Sequence, residues 1–159
     1  MFDEIMGLPA HPLIIHFAVV LTPLLVAVAV AYALLPRLRT YVAWAVVLLS
    51  LAAPVAVFAA RQSGENLKAA RFGTAEGEIA ARISTHQSFA TPLLLSVLGL
   101  GVAALLLVYA TRPSRDSVGR DRFGRPVSMI LSALTVVLAA VAGYFVFRAG
   151  DSGARAVWS

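Results

Sequence analysis

The stretch Gly7–Pro36, GLPAHPLIIHFAVVLTPLLVAVAVAYALLP, decides the fold. From Pro12 to Pro36 it holds no Asp, Glu, Lys or Arg, and about 20 apolar residues in helical conformation cross the hydrocarbon of a bilayer. His11 and His16, two of the three histidines, stand at the mouth of this run. Pro12 suits a first helical turn, where its missing N–H has no partner to lose, so His11 is expected at or just before the helix start and His16 about a turn inside. Five helical residues turn a side chain by about 140°. The two imidazoles therefore share no helix face and converge only if His11 belongs to the entering loop. Ionisable groups at the end of a membrane helix demand an explanation.

The rest of the chain agrees with that start. Its 159 residues are 60% hydrophobic and 13% charged, with mean hydropathy +0.85, outside the balance of a soluble domain. Met1-Phe2-Asp3-Glu4 is acidic where a secretory signal is basic, and the first apolar run is too long for a signal, so no cleavage is expected. Cysteine is absent, which excludes disulfides, covalent c-type haem, and cysteine-ligated zinc or iron–sulfur clusters. The net charge of +5 comes from residues in short links between apolar runs, so the counterions expected are anionic lipid headgroups rather than nucleic acid.

Four apolar runs, Pro12 to Pro36, Tyr41 to Ala60, Phe89 to Ala110 and Val127 to Phe147, predict an all-α, four-helix transmembrane bundle in one domain. The helices are expected at about 12–36, 41–61, 75–110 and 127–148. The link Pro36–Thr40 is short enough to make helices one and two antiparallel neighbours. Lys and Arg number two and five in links one and three, against none, four and two in the N-terminus, link two and the C-terminal tail. The density in link three (Arg112, Arg115, Arg120, Arg122, Arg125) places links one and three in the cytoplasm and both termini outside.

Link two, Arg61 to Thr85, mixes charges with Leu67, Phe72, Ile79 and Ile83, so helix three is expected to start near Thr74 or Ala75 and project above the membrane. The alternative is a separate amphipathic helix on the interface. Small residues at Gly99 and Ala103, and at Ser128, Ser132, Thr135, Ala139 and Gly143, read as close-packing seams. Pro23, Pro54 and Pro92 favour kinks. Nucleophilic catalysis finds no support, since Gly-x-Ser-x-Gly is absent. A transporter would need more mid-membrane polar groups, and no inverted repeat is visible.

Helix parity puts His11, His16 and His86 at one membrane face, with Glu65 on the same side. The chain resembles the bacterial four-helix membrane proteins of domain-of-unknown-function family 2231, through Gly7-Leu8-Pro9-Ala10-His11-Pro12, His16-Phe17, the turn Ser63-Gly64-Glu65 and His86. The resemblance covers nearly the whole chain and implies a four-helix integral protein of a bacterial inner membrane, with no established activity. Fusion of some relatives to Rieske or cytochrome c modules implies redox surroundings. Three readings of the histidines stand open. Haem b would take His16 and His86 as axial ligands, with Arg82 or Arg61 at its propionates. A transition metal would gather His11, His16, His86 and Glu65. Otherwise the histidines are interfacial, in a membrane scaffold or subunit without a cofactor. The partners expected are the bilayer and a redox or membrane-protein partner, which the surface from Arg61 to Arg82 would dock.

Overall fold

A computed structural model describes residues 4–5, 8–71, 73, 76–112 and 122–158. The expected helix start at Thr74 or Ala75, and Arg115 and Arg120 of link three, lie outside the described residues. Two short strands, β1 (Glu4–Ile5) and β2 (Leu8–Pro9), pair antiparallel and lead into α1 (Ala10–Leu34). A 3-10 turn at Pro36–Leu38 passes the chain to α2 (Arg39–Arg71). There follow α3 (Gly77–Ser88), α4 (Ala90–Thr111) and α5 (Arg125–Trp158). Four helical stretches are long and apolar enough to cross a membrane, with α3 and α4 together forming the third.

Two boundaries move for a common reason. Both α2 and α5 continue about ten residues past the ends expected from hydropathy, to Arg71 and Trp158. The added turns are polar but keep helical i,i+4 pairs, Arg61 with Glu65 and Asp151 with Arg155. Ser63-Gly64-Glu65, read as a turn, is therefore helix. The prolines divide. Pro23 and Pro54 lie inside unbroken α1 and α2. Pro92 lacks the N–H that would bond the Ser88 carbonyl, and the chain breaks there, between α3 and α4 at Phe89.

α1 packs on α2 and α5, and α4 on the same two helices; α1 and α4 touch more lightly along the centre, and α3 leans on α5 and α4. Leu25, Val46, Val97, Leu100 and Leu107 are fully buried between them, and so are Ala29, Ala53, Ala139 and Ala142. The expected seam holds at Ala103, Thr135 and Ala139, all buried. At one end Arg39 donates from Nε to the Tyr32 carbonyl at 3.1 Å, satisfying the last turn of α1. The Tyr32 hydroxyl meets Thr111 Oγ1 at 2.7 Å and ties α1 to α4.

The packing pattern maps onto itself when α1 is exchanged with α4 and α2 with α5. Because α1 and α4 run the same way, the chain is two helix pairs related as by a twofold axis along the bundle. A close backbone approach is at Gly101 of α4, where a Cβ would lie 2.9 Å from the Ser50 carbonyl of α2. Gly99, two residues away, would bring a Cβ only to 3.6 Å from Leu138 Cδ2, ordinary contact. Gly101→Ala is expected to part α2 from α4 and cost about 1–3 kcal/mol. Gly99→Ala is expected to be neutral or to gain up to about 1 kcal/mol of helix propensity. Unfolding of the two variants in detergent checks the contrast, and equal losses would remove Gly101 as the contact point.

Candidate functional site

Two imidazoles are held at one end of the bundle by the same local chemistry. In α2, Ser63 Oγ donates to the Ala60 carbonyl at 3.0 Å, and His11 Nδ1 lies 3.0 Å from the Ser63 hydroxyl. In α5, Ser152 Oγ donates to the Ala149 carbonyl at 3.1 Å, and His86 Nδ1 lies 3.1 Å from the Ser152 hydroxyl. A hydroxyl has one proton. With that proton donated to the carbonyl one turn back, the hydroxyl accepts from the ring, an arrangement that assigns each histidine the Nδ1–H tautomer with a lone pair on Nε2.

The residue after each serine makes room for the ring. A Cβ at Gly64 would stand 3.0 Å from His11 Cε1, and one at Gly153 would stand 3.1 Å from His86 Cε1. The cradle is thus Ala-x-x-Ser-Gly, at 60–64 and again at 149–153. Hydropathy reading passes over it, because four of its five positions are small or neutral. Its repetition in sequence was the available signal.

His11 and His86 together border a cavity of about 300 Å³, which Arg61, Glu65, Lys68 and Gln87 also line. Beneath it a smaller apolar cavity of about 70 Å³ is again bordered by both rings. Burial lowers the affinity of His11 for a proton, and the charge His86 would carry lowers it further; the Ala60 carbonyl acts the other way. His11 is therefore neutral at pH 7.

The other expected site residues divide. His16 is exposed on α1 and borders neither cavity. His11 takes the place facing His86, because the helix starts at Ala10 and the 140° between the two side chains turns one in and the other out. Glu65 lines the larger cavity while paired with Arg61 Nε at 3.0 Å. Arg82 turns from the cavity to Glu78 Oε1 at 2.6 Å and to the Arg155 carbonyl at 3.3 Å. Lys68, not singled out from the sequence, reaches Gln87 Oε1 at 2.8 Å and closes α3 over the cavity. No group of three or more His, Cys, Asp or Glu converges on a metal-holding position among the described residues, so the set His11, His16, His86 and Glu65 is not assembled.

A family model described as predicted membrane protein, DUF2231, matches residues 7–159. The chain belongs to this family. Comparison with curated proteins and with solved structures returned no match. The match covers both histidine cradles and all four membrane-length helical stretches, and its description goes no further than the membrane.

Ser63→Ala and Ser152→Ala are each expected to leave an Nδ1–H without its hydroxyl acceptor, at a cost of about 1–3 kcal/mol. The similar cradles predict similar losses. Thermal unfolding of the two single variants in detergent measures them, and a loss confined to one would break the equivalence of the halves.

Proposed function

We propose that the chain is a redox component of the membrane that holds one haem b between His11 and His86. The observation that supports this is the pair itself: two imidazoles from opposite halves, each with Nδ1 at a serine hydroxyl, border one cavity, and no group of three or more metal-holding side chains forms among the described residues. A bare transition metal draws three or four protein ligands. Haem brings four of its own and asks the protein for two. The donor chemistry therefore fits haem better than the four-ligand metal set. Anchoring each Nδ1–H also fixes ring orientation and raises the basicity of Nε2.

Arg61 and Lys68, both at the cavity, are the cations for the propionates in this reading, and Arg82 is not. A cavity of about 300 Å³ is at the small end for ligand sites, so loading would part Lys68 from Gln87. Haem b between two imidazoles supplies one-electron exchange. The histidine end faces outward from a bacterial plasma membrane in this proposal, as the basic density of link three favours.

A second reading has an observation of its own. The His–Ser bonds join α1 to α2 and α3 to α5, so the histidines would serve a non-catalytic membrane scaffold as clamps. The visible spectrum of the purified protein separates the two. The haem reading expects a Soret band that His11→Ala and His86→Ala abolish and His16→Ala leaves intact. Protein expressed with ample haem that purifies without the band, and loses only stability in the two variants, supports the clamp reading instead.

A further inference from the structure

The wall that α3 gives to the histidine cavity is built unlike the others. α4 is buried along its length, from Leu93 to Ala110, whereas α3 has no buried residue. Ile83, His86 and Gln87 of α3 line the cavity of about 300 Å³, so the helix rests partly on space where a packed core would hold it. Few buried apolar contacts and exposed polar ties mark a segment that opens at low cost. The remaining walls have no such freedom. Ala60 to Lys68 belong to α2, which continues unbroken from its membrane-spanning part, and Ala90 and Thr91 begin α4.

Both ends of α3 are breaks in the helical path. At Phe89 the N–H turns to the His86 carbonyl at 3.2 Å, and Pro92 has no N–H to return to Ser88. This break is pinned to α5, since the Arg148 guanidinium stands 5.0 Å from the centre of the Phe89 ring. At the other end Gly77 has φ +68°, in the left-handed region that glycine adopts freely. Between the breaks, among the described residues, two exposed bonds tie α3 to its neighbours: Lys68 Nζ to Gln87 Oε1 at 2.8 Å and Arg82 to the Arg155 carbonyl at 3.3 Å. His86 at Ser152 is the third tie. Bonds as exposed as the first two exchange for bonds to water at small net cost.

We propose that α3 is a hinged lid, which turns about Phe89 to admit a ligand to the cavity between His11 and His86 and which that ligand then closes. The pivot is pinned, the arm is not, and the arm carries one of the two imidazoles. Opening draws His86 away from Ser152 and leaves His11 in its cradle. A ligand bonded to both Nε2 atoms ties the arm down through His86. A ligand shifts such an equilibrium only by preferring one state, and one that needs both imidazoles binds the closed state alone. The opening also admits a group that the closed cavity would not let pass. The lid rests on the reading of the histidine pair as a ligand site, and the ligand class is that of the same reading, an iron porphyrin with one imidazole on each face.

The chain has no cysteine, so Ile79→Cys, at the end of α3 away from Phe89, and Ala69→Cys on α2, both exposed, take nitroxide labels at defined places. A tilt of about 30° moves Ile79, about 15 Å from the pivot along the helix, by about 8 Å. Pulsed dipolar distance measurement on the labelled full chain in detergent is expected to give two distances without ligand and to lose the longer one when hemin is added. Gln87→Leu and, independently, Arg82→Ala are expected to raise the ratio of the longer to the shorter distance about fivefold. Two variants guard against failure of either to fold. A single distance that neither variant changes, or a longer distance that persists beside a Soret band, would overturn the proposal. Two distances that respond to the variants, in protein that takes up no haem, keep the lid and remove the haem reading; a Soret band over one unmoved distance does the reverse.

Discussion

An imidazole set into the end of an apolar bundle must find a hydrogen-bond partner, and the rest of the histidine end follows from how that demand is met. A buried N–H without an acceptor costs about as much as a well-packed methyl group contributes. A serine whose own proton is given to the carbonyl one turn back is an acceptor that adds no charge and leaves no donor unpaired. For the ring to reach it, the next residue must lack a side chain, which puts Gly64 under His11 and Gly153 under His86. The cradle lies on the turns that α2 and α5 add beyond their apolar runs. Those extensions are thus part of the site, although the bilayer does not require them.

The same solution appearing twice makes the bundle a pair of repeated halves. Each half brings one imidazole and one serine helix, and the cavity lies where they meet. Two imidazoles sharing one cavity form a symmetric pair of donors, a different object from a cluster of carboxylates. Charging one opposes charging the other, which reinforces the effect of burial on His11. Away from the cradles, Gly101 of α4 packs on the Ser50 backbone, while a Cβ at Gly143 or Gly150 of α5 would meet nothing within 4 Å.

α3 shows how one missing hydrogen bond shapes the entrance. Without the proline at 92 the third span would run straight through Ser88. With it the helix breaks at Phe89, and α3 lies against α5 and α4, tied to α2 through Lys68 and Gln87 and to α5 through Arg82 and the Arg155 carbonyl. Of the charged residues of link two that suggested a docking surface, Lys68 and Arg82 hold this cover in place, while Arg61 and Glu65 pair within α2.

The sequence by itself determined the four membrane-length spans, their short first link, the family and the shared face of the histidines. All of these follow from hydropathy, from parity and from a run of residues read in one dimension. It did not determine which histidine faces inward. That depends on where α1 begins, since a shift of the start relative to the bundle axis exchanges His11 for His16 across an angle of about 140°. Nor did it reveal Ser63, Ser152 and their glycines as partners, because 52 and 66 residues separate each serine from its histidine and nothing in either local pattern points to the other. Arg82 lies one turn before His86, a spacing that fixes a face but not a partner, and Glu78 one turn away pairs with it. Only the packed bundle decided these pairings, because they are contacts between helices, whose relative rotation is set by side-chain packing that a hydropathy pattern leaves free.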